Sequence, residues 1–341
     1  MIARIPEKLQ SKEPYTPVTA GYSIRLDANE SPYNVSAELR EDMKRALDDI
    51  DFNRYPDPLA ADLCKAFARA YGIRSSYVTA GNGSDELIGL ILSSFLEKGE
   101  GVTVALPDFS MYAFYASLSE EKLHVFKRDG APTLDGLRAF VRETGSAAVI
   151  FSNPCNPTGQ GYDRKSVLQF VLSTDALCII DEAYMDFWDQ SILADAPWLE
   201  NAFVLRTLSK VFGAAALRLG FAVANAKLTA ALRTAKSPYN VNAVSQAFGK
   251  LLLERRDADR SAELAGAARR LRKALLPYFP DIPETVTNFV YIETPQASEI
   301  AAYLASRGIA VRLFPNALRI TAGSSAENDA LLAALRDYFA K

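Results

Sequence analysis

Lys210 follows the apolar run AFVLRTL (202–208) and precedes VFGAAAL, a stretch without charge. A lysine drawn out of water in such surroundings has a lowered pKa and becomes a nucleophile for Schiff-base chemistry. Asp181 stands 29 residues earlier, at the end of ALCII (176–180). Such an aspartate either caps a helix or, if buried, needs a cationic partner. A protonated pyridine nitrogen would be that cation. A lysine Schiff base with an aspartate on a pyridinium is the chemistry of pyridoxal phosphate (PLP). The cofactor's phosphate needs its own site, and GNGSDELI (81–88) offers one. Its glycines permit a tight turn, and Ser84 and Asp85 open an apolar helix. Free N–H groups and the helix dipole favour an anion there. Arg218, eight residues after Lys210, can fork onto the same phosphate. GNGSDE does not match the dinucleotide pattern GxGxxG, and no GxxxxGK[ST] occurs.

The remaining composition narrows the chemistry. Among 341 residues there is one histidine, His124, so multi-histidine zinc sites are excluded. It lies in LHVFKR (123–128), where a strand histidine beside a solvated Lys127 and Arg128 is expected to be structural. Three scattered cysteines, Cys64, Cys155 and Cys178, fit free thiols in a reducing cytoplasm. A net charge of −3 gives no basic excess for nucleic acid. No apolar run approaches the ~18–20 residues of a membrane span. The start, MIARIPEKLQSKEPY, has no apolar core of a signal peptide.

These side chains must be placed by an α/β scaffold. VTVALP (102–107), LHVFKR, AAVIFSNP (147–154), ALCIIDEAY (176–184), AFVLRTL and LRLGFAVAN (217–225) read as strands alternating with helical periods. Several are apolar on both faces, as in a buried, mostly parallel sheet. In such sheets ligands bind beyond the carboxyl ends of the strands. Asn156, Asp181 with Tyr184, Thr207 with Ser209 and Lys210, and the GNGSDE turn all follow strand ends. After residue 240 a long Arg- and Ala-rich helical stretch leads to a smaller unit of TNFVYIE (287–293), a helix (297–308), AVRLF (310–314), ALRITAG (317–323) and a closing amphipathic helix. The expected division is an N-terminal arm (1–30), a large domain (31–240) and a small domain (241–341).

The motifs recur in order: PYTP (14–17), LDANESP (26–32), RYPDP (54–58), GNGSDELI, PDFSMY (107–112), NPCNPTG (153–159), DEAY (181–184), RTLSKVFG (206–213) with LRLGF (217–221), TNFV (287–290) and VR…LRITAG (311–323). As a set they resemble fold type I PLP-dependent aminotransferases, and among them the histidinol-phosphate aminotransferase family. The resemblance implies a large domain with a mostly parallel central sheet between helices, plus a smaller α/β domain. It implies roles as well. Lys210 would be the Schiff-base lysine and proton carrier, and Asp181 would keep the pyridine nitrogen protonated. Asn156 and Tyr184 would bond the ring's phenolic oxygen, and Tyr112 would stack on its face. Ser84, Asp85, Thr207, Ser209 and Arg218 would line the phosphate. Tyr55 would reach the neighbouring subunit's phosphate region, implying a homodimer with shared active sites.

Substrate recognition would fall to Tyr15, Asn29, Arg312 and Arg319. Arg319 resembles the arginine that grips the donor's α-carboxylate. Histidinol phosphate has no carboxylate, so its phosphate would use the same cationic pair. The implied reaction passes an amino group from histidinol phosphate to 2-oxoglutarate in histidine biosynthesis. An aromatic or broad amino-acid aminotransferase and a threonine-phosphate decarboxylase share the pattern. A PLP-sensing regulator would need a DNA-binding module, for which the chain has no spare length. Ser31 stands where NENP is usual, Cys155 where a second Asn is usual, and YNVS where YGPS is common. The arm and the loop after Arg312 are short. These departures bear on the substrate more than on the cofactor.

Overall fold

The computed structural model describes residues 4–10, 12, 21–128 and 133–340. The chain opens with α1 (Glu7–Gln10), β1 (Ile24–Leu26), α2 (Ala37–Asp48) and α3 (Ala61–Tyr71). An alternating series follows: β2 (Val78–Asn82), α4 (Gly83–Phe95), β3 (Gly101–Leu106), α5 (Met111–Leu118), β4 (Lys122–Lys127), α6 (Leu134–Thr144), β5 (Ala148–Ser152), α7 (Arg164–Leu172) and β6 (Leu177–Asp181). Then come β7 (Ala202–Thr207), β8 (Leu219–Val223), α8 (Ala226–Ala235), α9 (Ala243–Glu254) and α10 (Ala258–Leu275). The chain closes with β9 (Phe289–Glu293), α11 (Ala297–Ser306), β10 (Ile309–Phe314), β11 (Ala317–Thr321) and α12 (Ser325–Phe339).

Seven strands form one sheet in the order β2-β8-β7-β6-β5-β3-β4. Only β8 runs against the rest, pairing antiparallel with both β2 and β7. The expected mostly parallel sheet is therefore present, and both faces of its central strands are buried. Within β5, Val149 and Phe151 join one apolar core, with Phe67, Phe170 and Phe221. Ile150 points into the other, with Leu87, Ile91 and Phe203. This is why these strands read as continuous apolar runs instead of alternating ones.

The second sheet has the order β1-β10-β11-β9. Leu271, Ile300, Leu304, Ile320 and Leu331 build its core. β1, a strand of three residues, had no signal of its own; parallel pairing of Ile24–Leu26 with Ile309–Val311 binds the arm to the small unit. Packing also moves the division expected at residue 241. Leu252 and Leu253 of α9 belong to the core of the large unit, and α10 passes between the two: its Leu264 and Ala265 pack with Tyr184, Phe187 and Val211, while Ala268, Leu271 and Leu275 join the small-unit core. Cys64, Cys155 and Cys178 are free and buried. Among the described residues no helix is long and apolar enough to cross a membrane.

Candidate active site

A cleft of about 200 Å³ opens at the carboxyl edge of the large sheet. Register explains the convergence: Ser152 pairs with Asp181, and Asp181 with Leu205, so β5, β6 and β7 end side by side. β2 ends one strand further on, its Gly81 paired with Gly220. The walls include Ser84, Asp85, Tyr112, Asn156, Asp181, Tyr184, Thr207, Ser209, Lys210 and Arg218. All ten were expected from the sequence.

Asp181 forms the floor. Its Oδ1 accepts from the Ala183 amide at 3.0 Å, as a capping aspartate would. Its Oδ2 accepts from the Tyr112 hydroxyl at 2.8 Å. Burial pushes its carboxyl up to about 7, opposed chiefly by the Tyr112 hydrogen bond. A carboxylate held this deep favours a cationic partner.

Lys210 is half-buried; the surroundings are less dry than the run of apolar letters around it implied. Its ammonium donates to the Ala28 carbonyl at 3.3 Å and lies 5.5 Å from the centre of the Tyr184 ring. The Tyr184 oxygen accepts from Asn29 Nδ2 at 2.8 Å. Its own proton is then directed away from Asn29. Asn156 Oδ1 accepts from Arg319 Nη1, which leaves the Asn156 amide nitrogen as a donor. Two donors thus stand ready for one oxygen anion.

At the other wall, α4 begins at Gly83 with no side-chain cap from Asn82. Its first N–H groups are an anion site by construction. Arg218 donates Nη2 to Asp85 at 3.0 Å and Nη1 to Ser209 Oγ at 3.4 Å. Its backbone is left-handed, with φ of +50°, a conformation costly for a side chain with a Cβ. Gly220 is a fixed requirement here. A Cβ at that position would stand 2.2 Å from the Gly83 carbonyl carbon and 2.3 Å from the Ser84 nitrogen.

The donor set fits PLP group by group. Ser84, Ser209, Arg218 and the start of α4 suit a phosphate; Asp181 suits a ring nitrogen. Asn156 and Tyr184 suit a phenolic oxygen, and Lys210 suits a carbonyl carbon.

The other expected residues are placed less simply. Arg312 and Arg319 are register partners on β10 and β11, so they share one face of the small sheet. Arg319 is buried and also donates to the Asp27 carbonyl at 2.6 Å. Arg312 is half-buried. Asn29, with φ of +55°, bonds Tyr184 and exchanges hydrogen bonds with Thr321. Tyr55 is 82% exposed, stacked on Tyr239 at 4.6 Å and away from the cleft of its own chain. Tyr15 lies outside the described residues.

Some features of the surroundings were missed. Arg128 is not solvated: its side chain is buried and pairs with Asp108 at 2.9 Å. Asp108 in turn accepts from the Ser152 backbone N–H at 3.1 Å, and Ser152 Oγ accepts from the Asn156 backbone N–H at 3.0 Å. This chain of bonds sets the turn that carries Asn156. The motif PDFSMY contained Asp108, but nothing in the sequence paired it with a residue 20 positions away. Glu30, Phe109 and Ala215 also line the cleft. His124 bonds Ser146 Oγ at 2.7 Å and takes no part in the cleft.

A doubly layered α/β sheet with lysine, aspartate and an anion turn at its carboxyl edge defines a fold type I transferase. Residues 23–335 match the family model for aminotransferase class I and II. The chain belongs to that family, as its motifs had implied. It is 38% identical over 327 residues to the histidinol-phosphate aminotransferase of Clostridium novyi (strain NT), covering 92% of this chain and 91% of that protein. It is 35% identical over 344 residues to that of Pyrococcus furiosus, covering 97% of each. In fold it is similar to histidinol-phosphate aminotransferase from Sinorhizobium meliloti in complex with pyridoxal-5'-phosphate. The TM-score is 0.89 at 22% identity, over 99% of this chain and 98% of that one. L-threonine-O-3-phosphate decarboxylase from Porphyromonas gingivalis shares the fold at a TM-score of 0.80 and 19% identity, over 93% of this chain and 100% of that one.

Proposed function

We propose that this aminotransferase binds PLP on Lys210 and transfers the amino group of histidinol phosphate to 2-oxoglutarate, giving imidazole acetol phosphate and glutamate. When bound, PLP supplies an electron sink for the pair of electrons freed at the donor's α-carbon. Lys210 holds the cofactor and, once released, carries the proton from that carbon. Asp181 keeps the ring nitrogen charged. Asn156 and Tyr184 hold the phenolic oxygen. Arg218, Ser84 and Ser209 anchor the phosphate, with the start of α4 beneath it.

The observation that carries the substrate reading is the cross-strand pair Arg312–Arg319. Arg319 is braced on Asn156 and so stands beside the cofactor site. Arg312 on the same face adds a second fixed positive charge. A carboxylate is satisfied by one planar guanidinium, whereas a phosphate near −2 gains from two. One pocket then accepts glutamate in one half-reaction and histidinol phosphate in the other. The sequence relatives that bear the name histidinol-phosphate aminotransferase support this reading.

The exposed Tyr55–Tyr239 stack supports a homodimer in which Tyr55 completes the neighbouring subunit's phosphate region. Steady-state comparison of histidinol phosphate, phenylalanine and threonine phosphate tests the substrate. A kcat/KM for histidinol phosphate at least tenfold above both others is expected. A preference for phenylalanine would assign a general aromatic aminotransferase.

A further inference from the structure

Tyr112 was expected to offer only its ring face. In the structure its hydroxyl has a definite partner. It donates to Asp181 Oδ2 at 2.8 Å, and both residues are buried, Tyr112 to 1% exposure and Asp181 to 4%. Phe109 fixes the ring from the side, edge-on with centroids 5.5 Å apart. The hydroxyl therefore cannot swing to water without leaving its packing. Asp181 Oδ1 takes the Ala183 amide, so the carboxylate is held at both oxygens.

We propose that Tyr112 is a positioning residue that acts through Asp181: its hydroxyl decides where the proton shared between Asp181 and the cofactor's ring nitrogen resides. This rests on the PLP reading of the cleft. In a dry site an aspartate and a pyridinium can pass the proton between them, giving a neutral acid and a neutral ring. A neutral ring is a poor electron sink. Each hydrogen bond donated to the carboxylate stabilises its charged form and leaves the proton on nitrogen. The Ala183 amide supplies one such bond and Tyr112 the other.

The charged neighbours do not replace this donor. Asp108 and Asp85 both act on Asp181 in the direction of protonation. Asp108 is paired with Arg128, and Asp85 with Arg218, so neither arginine is committed to Asp181. Lys210 bonds the Ala28 carbonyl. Tyr184 and Asn156 take Asn29 and Arg319 as partners. Among the described residues Tyr112 is the only side chain seen to donate to this carboxylate.

Tyr112→Phe keeps the ring and removes the hydroxyl. The test uses enzyme loaded with 15N-labelled PLP, whose nitrogen resonance distinguishes a protonated from a neutral ring. In the variant the resonance should move toward the neutral position, with PLP still bound. The glutamate half-reaction should slow by about tenfold, the scale of a lost bond to a charged group. A double-mutant cycle adds the control a packing defect would fail. In an Asp181→Asn background, Tyr112→Phe should change the rate by less than about twofold. Tyr115→Phe, on the same helix, should leave the resonance unmoved. An unshifted resonance in Tyr112→Phe, or an equal loss in the Asp181→Asn background, would overturn the proposal. Parent enzyme that retains no PLP would instead reject the reading of the cleft.

Discussion

At the scale of single residues, the cleft divides between groups proposed to hold the cofactor and groups that hold those in place. Lys210→Ala should lose borohydride-trappable cofactor and nearly all turnover; a turnover number near that of the parent without added amine would remove Lys210 from its role. Asp181→Asn should still bind PLP but lose about 10²–10³ in kcat, typical of a lost electrostatic partner in a dry site. A rate within twofold of the parent would reduce Asp181 to the turn it forms with Ala183. The arginines separate by substrate. Arg319→Ala should damage both half-reactions, because it also releases Asn156. Arg312→Ala should cost histidinol phosphate roughly tenfold or more in kcat/KM and glutamate much less. Equal losses for both substrates would contradict a phosphate role for Arg312.

At the scale of elements, the site depends on how closely β8 lies against the turn before α4. Gly220 pairs with Gly81 on one side and Thr207 on the other. Gly220→Ala should force the Gly83–Ser84 turn outward and weaken PLP retention by about tenfold or more, with an overpacking cost of ~1–3 kcal/mol. Fluorescence titration with PLP and a thermal melt would report the two effects; unchanged PLP affinity would show that the turn yields without harm.

Most of this level was legible beforehand. The apolar runs that became β3 and β5 to β8 follow from burial on both sheet faces, and the polar ends of β5 to β7 marked the cleft; β4 is a largely exposed edge strand. What escaped the sequence was pairing over distance. Arg128 with Asp108, and Tyr112 with Asp181, are contacts whose spacing has no period. The three-residue β1 has too few residues to show one. Asn29 was placed on the substrate, but its amide is committed to Tyr184 and its left-handed backbone ties it to Thr321. That commitment depends on the arm folding back onto β10 and β11, which no local signal announces.

At the scale of the whole molecule, a buried ion cluster fixes the large sheet to the turn that leads into α10. Arg206 pairs with Glu182 at 3.1 Å and Asp186 at 3.2 Å on the buried side of β6 and β7. Asp186 also takes the Tyr71 hydroxyl at 2.9 Å and Arg256 at 3.2 Å. Arg256 lies in the turn between α9 and α10. Arg206→Met should destabilise the fold by about 3–5 kcal/mol, since it leaves buried Glu182 without its cation and Asp186 with Arg256 alone. A denaturation midpoint equal to the parent's would show that water relieves them. Assembly is testable by complementation. Mixed Tyr55→Ala and Lys210→Ala subunits should regain activity neither has alone, because one of the two sites then holds both native residues. No recovery after confirmed subunit exchange would confine each site to one chain.

In this reading the cleft takes its amino group from histidinol phosphate. A single-turnover experiment tests it most directly: parent enzyme loaded with PLP is mixed with histidinol phosphate in the absence of any 2-oxo acid. The cofactor's visible absorbance should convert to that of pyridoxamine phosphate, and added 2-oxoglutarate should restore it. Conversion by glutamate but none by histidinol phosphate would contradict the account.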